Sequence, residues 1–273
     1  MGAYRCYLHQ KLCGVKERKG NSCIVRITGE GVLLQTPSFR QMTCQSEEWK
    51  FANKEDAMSF GIMLQQLATG MIVTGEIFFL TLLFSLPLGL LIAFGRMAKN
   101  PVVRSVAKFY ISIMRGTPLM LQLIVVYFAP YYVFGLKIGS AYRMIAVILG
   151  FSLNYAAYFA EIYRSGIEAI PVGQHEAAKV LGFTKLQTFV KIILPQVIKR
   201  ILPPVTNEVI TLVKDTSLAF VLAVAEMFTL AKQVAAAQTT VLPLMVAGLF
   251  YYIFNLLVAF AMEKLEKKLS YYR

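Results

Sequence analysis

Five stretches of this chain, roughly 71–94, 118–134, 144–162, 209–228 and 243–262, are dominated by apolar residues over nearly the length a helix needs to cross a bilayer. A hydrocarbon core takes about 20 helical residues, so five such runs constrain the fold before any other feature is weighed. Of the 273 residues, 57% are hydrophobic and only 16% charged, too few charges to coat a soluble domain. The expected architecture is an all-α membrane protein with five transmembrane helices.

A net charge of +13 could belong to a nucleic-acid binder, but its placement follows the apolar runs. Arg96, Lys99, Arg104, Lys108 and Arg115 lie between the first two runs. Arg164, Lys179, Lys185, Lys191, Lys199 and Arg200 lie between the third and fourth, and Lys264, Lys267, Lys268 and Arg273 in the tail. The alternate connections hold Lys137 and Arg143, then Lys232 alone. Fifteen cations against three is the asymmetry of the positive-inside rule. It places residues 174–195 and the C-terminus in the cytoplasm and the start of the first run outside. The basic charge then reports topology and contact with anionic lipid headgroups, and no nucleic acid is expected as a partner.

Residues 1–57 stand apart from 58–273. They carry all four cysteines (Cys6, Cys13, Cys23, Cys44) and the single tryptophan, Trp49. The cysteine spacing fits no zinc pattern, and no apolar core of a signal peptide is present. Nine basic and six acidic residues would also lie outside the membrane, against the charge rule. The expectation is an unordered, non-functional extension from a misplaced start codon, with Met58 the natural first residue; a disulfide-bonded outer cap is the alternative. From Met58, the residues Phe60, Met63, Leu64 and Leu67 read as a short amphipathic approach to the bilayer. Glu76 sits near the outer end of the first run, and Pro87 and Gly89 inside it are tolerable in membrane helices.

Between the first two runs, Val102, Val103, Val106 and Phe109 suggest a helix partly in the interface. Pro118 is expected to begin the next helix, with Arg115 anchoring the preceding helix end at lipid phosphates. Tyr127, Tyr131 and Tyr132 form an aromatic belt at the outer end of the second run. The third run holds Asn154, Tyr155 and Tyr158, and ends in Glu161 and Arg164, three apart and able to pair on one face. In the fourth, Asn207, Glu208 and Thr211 precede Lys214, Asp215, Thr216 and Ser217. Ionisable groups inside a span cost about 2.5–3.5 kcal/mol each on insertion scales. Adjacent on a helix, Lys214 and Asp215 diverge and cannot simply neutralise each other. Each therefore needs a partner on another helix, on another subunit or on a ligand, and an amino acid supplies both an ammonium and a carboxylate.

The polar interval 174–195 reads as two short helices with a tight break. Glu176-Ala177-Ala178-Lys179 favour helix, Gly182 suits a helix end needing positive φ, and Thr184 with Gln187 is a capping box. Leu186, Phe189, Val190 and Ile193 then recur at helical spacing, and Pro195 is expected to close the second helix. From periodicity alone this could be an amphipathic loop on the lipid surface.

The spacing Glu-Ala-Ala, three residues, Gly, nine residues, Ile-x-Leu-Pro is met without a gap by Glu176, Ala177, Ala178, Gly182, Ile192, Leu194 and Pro195. It resembles the cytoplasmic loop of ABC-importer permeases, the segment that docks into a groove on the ATP-hydrolysing subunit. Arg115-Gly116-Thr117-Pro118-Leu119 resembles the RGTPL signature of the polar amino-acid branch, and Ala160–Gly166 (AEIYRSG) its approach to the loop. Lys214-Asp215-Thr216-Ser217-Leu218 resembles its KDTSL motif, beside the substrate pathway. The resemblance covers about 58–265 and implies the type I importer permease fold, with a coupling loop at about 165–205, in a bacterial cell membrane. It further implies an ABC ATPase subunit, an extracytoplasmic solute-binding protein and a second permease subunit, identical or not. For Lys214 and Asp215, a bridge between helices stays open beside a substrate role.

The chain has no Gly-Lys-Ser or Gly-Lys-Thr of a Walker A loop, so ATP-Mg is expected on the partner ATPase and no cofactor in this chain. Two rivals remain. An ion-coupled carrier would use Asp215, Glu76 or Glu161 as its relay. A membrane enzyme would have to work with two separated histidines, His9 and His175.

Overall fold

The computed structural model describes residues 60–137, 139 and 141–269, and the backbone of residues 18–19 and 22–23. The latter form a minimal antiparallel ladder, β1 (Arg18–Lys19) on β2 (Ser22–Cys23), with Arg18 opposite Cys23. The expectations for the rest of 1–57, and Met58 as a first residue, lie outside the described residues.

The remainder is helical. α1 (Phe60–Arg96) is one uninterrupted helix, so the approach expected at 58–67 is continuous with the first span. At 1.5 Å per residue its 37 residues run about 55 Å, well beyond a hydrocarbon core. Beside the larger Met63, Leu67, Ile77 and Phe78, its buried residues include a stripe of small ones, Thr74, Thr81, Ser85, Gly89 and Ala93, at spacings of four and seven. Small residues let helix backbones approach closely in a membrane, where apolar burial gives little preference for protein over lipid. The stripe packs on α4 (Tyr142–Glu168), the most deeply buried helix, through Ala156, Ala157 and Ala160. A Cβ on Gly89 would lie 2.8 Å from the Phe159 Cβ and 3.1 Å from the Ala156 carbonyl oxygen, so only glycine fits.

Between these helices the chain makes an elbow. Asn100 caps α2 (Pro101–Gly116) by accepting the Val102 N–H at 2.9 Å. The axis then turns by 113° into α3 (Leu119–Phe134), with Pro118 as its N-cap, in accord with the sequence expectation. Beyond α4 come α5 (Val172–Val180), the single turn α6 (Lys185–Gln187), a π-helical turn (Thr188–Ile193) and α7 (Leu194–Asp215). A 3₁₀ segment (Thr216–Leu222), α8 (Met227–Gln238) and α9 (Leu242–Leu269) complete the chain.

Three helices, α1, α4 and α9, are each long and apolar enough to cross a membrane. Among the described residues the total rises to as many as five if each of two bent pairs, α2 with α3 and the segment through α7 with α8, counts as one span. The fourth span differs from the continuous run expected at 209–228. Helix begins at Leu194, passes through Pro203 and Pro204, tightens to 3₁₀ after Asp215 and breaks at Ala223, where φ is +51°. The cause is local. The Thr216 and Ser217 hydroxyls donate to the Val213 and Lys214 carbonyls at 2.7 and 2.8 Å, competing with the α-helical ladder where it narrows.

Candidate functional site

Two regions concentrate the polar chemistry, a folded handle at 164–201 and a charged strip between α2, α4 and α7. The handle starts where α4 ends. Arg164 is clasped between Glu161 and Glu168, the pairing expected for Glu161 with a second carboxylate added. α5 closes with a Schellman arrangement: Phe183 N–H donates to the Ala178 carbonyl and Gly182 N–H to Lys179, both at 3.1 Å, with Gly182 at φ +78°. The capping box forms reciprocally, Thr184 N–H to Gln187 Oε1 at 2.9 Å and Gln187 N–H to Thr184 Oγ1 at 3.3 Å.

Pro195 does not close the second helix. The preceding turn widens to i→i+5, with Leu194 N–H donating to the Phe189 carbonyl, and α7 continues through Pro195 in its first turn. A wide turn leaves room for a ring that offers no N–H. It also shifts the helical phase, so the expected apolar stripe splits. Ile193 is buried and Phe189 half-buried, while Leu186 and Val190 face out.

The handle has its own small core, in which Ile170, Ile193 and Val197 pack with Ile167, Phe189, Ile192 and Ile201. Arg200 donates to the Ala169 carbonyl and ties α7 to the end of α4. Of the residues selected by spacing, Glu176, Ala177, Gly182 and Pro195 are exposed, and Ile192 and Leu194 half-buried. Ala178 turns inward and is fully buried. The outer surface is nevertheless apolar: Val180, Leu181 and Leu186 are 87%, 74% and 73% exposed.

In the strip, the Tyr155 hydroxyl of α4 donates to Asp215 Oδ2 of α7 at 2.8 Å. Glu208, two turns earlier on α7, is half-buried within electrostatic reach of Arg115 and Asp215. The Arg115 guanidinium lies 5.3 Å over the Tyr158 ring. Behind it, Gln122 Nε2 and Asn154 Nδ2 both donate to the Met114 carbonyl at 3.0 Å, and Asn154 also donates to Gln122 Oε1 at 2.9 Å. The four KDTS residues are not brought together. Lys214 is exposed, Thr216 is fully buried, and the hydroxyls of Thr216 and Ser217 are turned to their own helix. Of the four, Asp215 is the one bonded to a side chain of α4, through Tyr155.

Sequence reasoning missed Glu226. It is 0% exposed, yet fully satisfied. Its Oε1 accepts from the Thr229 N–H and Oγ1 at 2.7 and 2.8 Å, and its Oε2 from the Phe228 N–H at 2.6 Å and the Tyr251 hydroxyl at 3.1 Å. Met227 N–H donates to Thr74 Oγ1 at 3.3 Å, so this cap joins α1, α8 and α9 at the break. A carboxylate three residues before a threonine inside an apolar run was the available signal. Among the described residues, no three His, Cys, Asp or Glu side chains converge to hold a metal.

Against known families, residues 85–271 match the binding-protein-dependent transport system inner membrane component. The chain belongs to this permease family. Within it the chain stands among the amino-acid ABC permeases. A putative glutamine transport system permease protein of Rickettsia bellii is 36% identical over 217 residues, covering 79% of this chain and 98% of that protein. The arginine transport system permease protein of Bacillus subtilis is 37% identical over 202 residues, 74% of this chain and 91% of that one. The crystal structure of an amino acid ABC transporter with histidines superposes with a TM-score of 0.70 at 30% identity, covering 78% of this permease and 98% of that chain. A methionine ABC transporter in an inward-facing conformation shares the fold, with a TM-score of 0.63 at 20% identity over 78% of this chain and 100% of that one. The all-α type I importer permease fold follows.

Proposed function

We propose that this permease is the transmembrane subunit of an ATP-driven importer for polar amino acids. It receives its substrate from an extracytoplasmic binding protein and pairs with a second permease subunit. The observation that carries this reading is the handle. Gly182 turns the chain sharply between two short limbs, and Val180, Leu181 and Leu186 stand exposed on a segment too polar for the hydrocarbon core. Such a surface, beside exposed Glu176 and Ala177, suits a groove on a separate ATPase, and ATP-Mg would be held there. The 174–195 segment and the C-terminus face the cytoplasm in this reading, in keeping with the distribution of cations.

Closure of an ATPase pair on ATP would draw two handles together. Because the handle core includes both the end of α4 and the start of α7, that movement would reach Asp215 and Tyr155 through continuous helix. The spans would then rock between inward- and outward-facing states. Asp215 held by Tyr155, and Glu208 within electrostatic reach of Arg115, supply groups of both signs for a zwitterion; Lys214, Thr216 and Ser217 would border the same pathway. A photo-crosslinking side chain at Leu181 tests the reading in membranes that contain the whole transporter. Capture of the ATPase subunit is expected, and capture of lipid alone would remove the docking assignment.

A further inference from the structure

The elbow helix α2 has three faces with different chemistry. Ile111 is buried, and Ala107, Tyr110 and Met114 are half-buried against the protein, where the Tyr110 hydroxyl donates to the Leu153 carbonyl at 2.5 Å. Val102, Val106, Phe109 and Ile113, spaced by four, three and four, share an exposed face. Arg104 and Lys108, four apart, form an exposed edge and make no ion pair among the described residues. No aspartate or glutamate occurs anywhere between Glu76 and Glu161. The 113° turn into α3 fixes the orientation: when α3 stands across the bilayer, α2 lies much nearer its plane than its normal.

We propose that α2 is a monotopic lipid-binding helix, its Val102, Val106, Phe109 and Ile113 face seated among acyl chains and its Arg104 and Lys108 edge holding the phosphates of anionic lipids. Amphipathic helices in this posture bury their apolar face about 5–10 Å into the headgroup boundary. Each cation beside an anionic surface adds about fivefold to the partition. A second copy of the chain is the poorer occupant. Arg104 and Lys108 lie about half a turn round the helix from that face, so a two-fold contact through it would leave them without anions, and this part of the chain offers no carboxylate to meet them. The inference stands apart from the transport reading, since it concerns only how the helix meets the bilayer.

The test uses the full chain with Cys6, Cys13, Cys23 and Cys44 replaced by serine, assembled with its partner subunits in vesicles with and without phosphatidylglycerol. Single nitroxide labels replace Val106, Phe109 or Ser112. The labels at 106 and 109 are expected to collide with oxygen and be shielded from a water-soluble nickel complex, and the label at 112 to show the reverse. Nickel access at 106 and 109 would overturn the seat, and strong spin–spin broadening there would give the face to a second copy. For the headgroups, native mass spectrometry reads the phosphatidylglycerol retained over phosphatidylcholine. Arg104→Gln with Lys108→Gln should lower that enrichment at least about fivefold while leaving the label pattern intact. Unchanged enrichment in this variant would contradict the phosphate assignment.

Discussion

At the scale of single residues, half-buried Asp215 and buried Glu226 are held in opposite ways, and the difference predicts different outcomes. Asp215 has one neutral donor, the Tyr155 hydroxyl at 2.8 Å, and keeps acceptor capacity for a ligand. Asp215→Asn and Tyr155→Phe should therefore impair uptake at least tenfold while the purified complex stays assembled. Dissociation of the Asp215→Asn complex would instead make this contact a bridge between helices. Glu226 accepts from four donors and has no capacity left. Glu226→Gln places an amide N–H against donors and should cost about 1–3 kcal/mol. Glu226→Ala removes the helix cap as well, adding about 1–2 kcal/mol. Thermal unfolding of the detergent-solubilised complex should rank wild type above Glu226→Gln above Glu226→Ala. Equal melting of all three would show that the cap carries no stability.

At the scale of elements, the handle and the α1–α4 contact depend on glycines for different reasons. Gly182 needs its backbone: a valine at φ +78° is strained although nothing crowds its Cβ. Gly182→Val, or the charge reversal Glu176→Lys, should abolish ATPase association or coupling while membrane insertion stays normal. Normal ATP-driven uptake by both variants would refute the docking role. Gly89 needs space, so Gly89→Val should force α1 from α4 and cost about 1–3 kcal/mol. A shift in melting temperature checks it, and an unchanged value would contradict so close an approach. Elements set by local signals were legible in the sequence: the Thr184 capping box, the Gly182 turn and the start of α3 at Pro118 are each dictated by neighbours within a few residues. The continuation through Pro195 and the break at Ala223 were not. The first depends on a wide turn that no propensity announces, and the second on Thr216, Ser217 and Glu226 meeting backbone and other helices. The strip was half legible for the same reason. Asp215 was found as an ionisable group in a span, but its partner Tyr155 lies 60 positions away.

At the scale of the whole molecule, the handle, α4 and α7 form one continuous path from an exposed apolar surface to a half-buried carboxylate. The chain carries no phosphate-binding loop of the Walker type to drive that path itself. In the proposed function its work comes from another subunit. The most direct measurement is amino-acid uptake into proteoliposomes that hold the permease and binding protein, with the ATPase subunit present or omitted. Accumulation is expected only with ATPase and ATP together, and it should persist when proton and sodium gradients are collapsed. Accumulation that continues without the ATPase, and vanishes with the ion gradient, would contradict the account and make the chain an ion-coupled carrier.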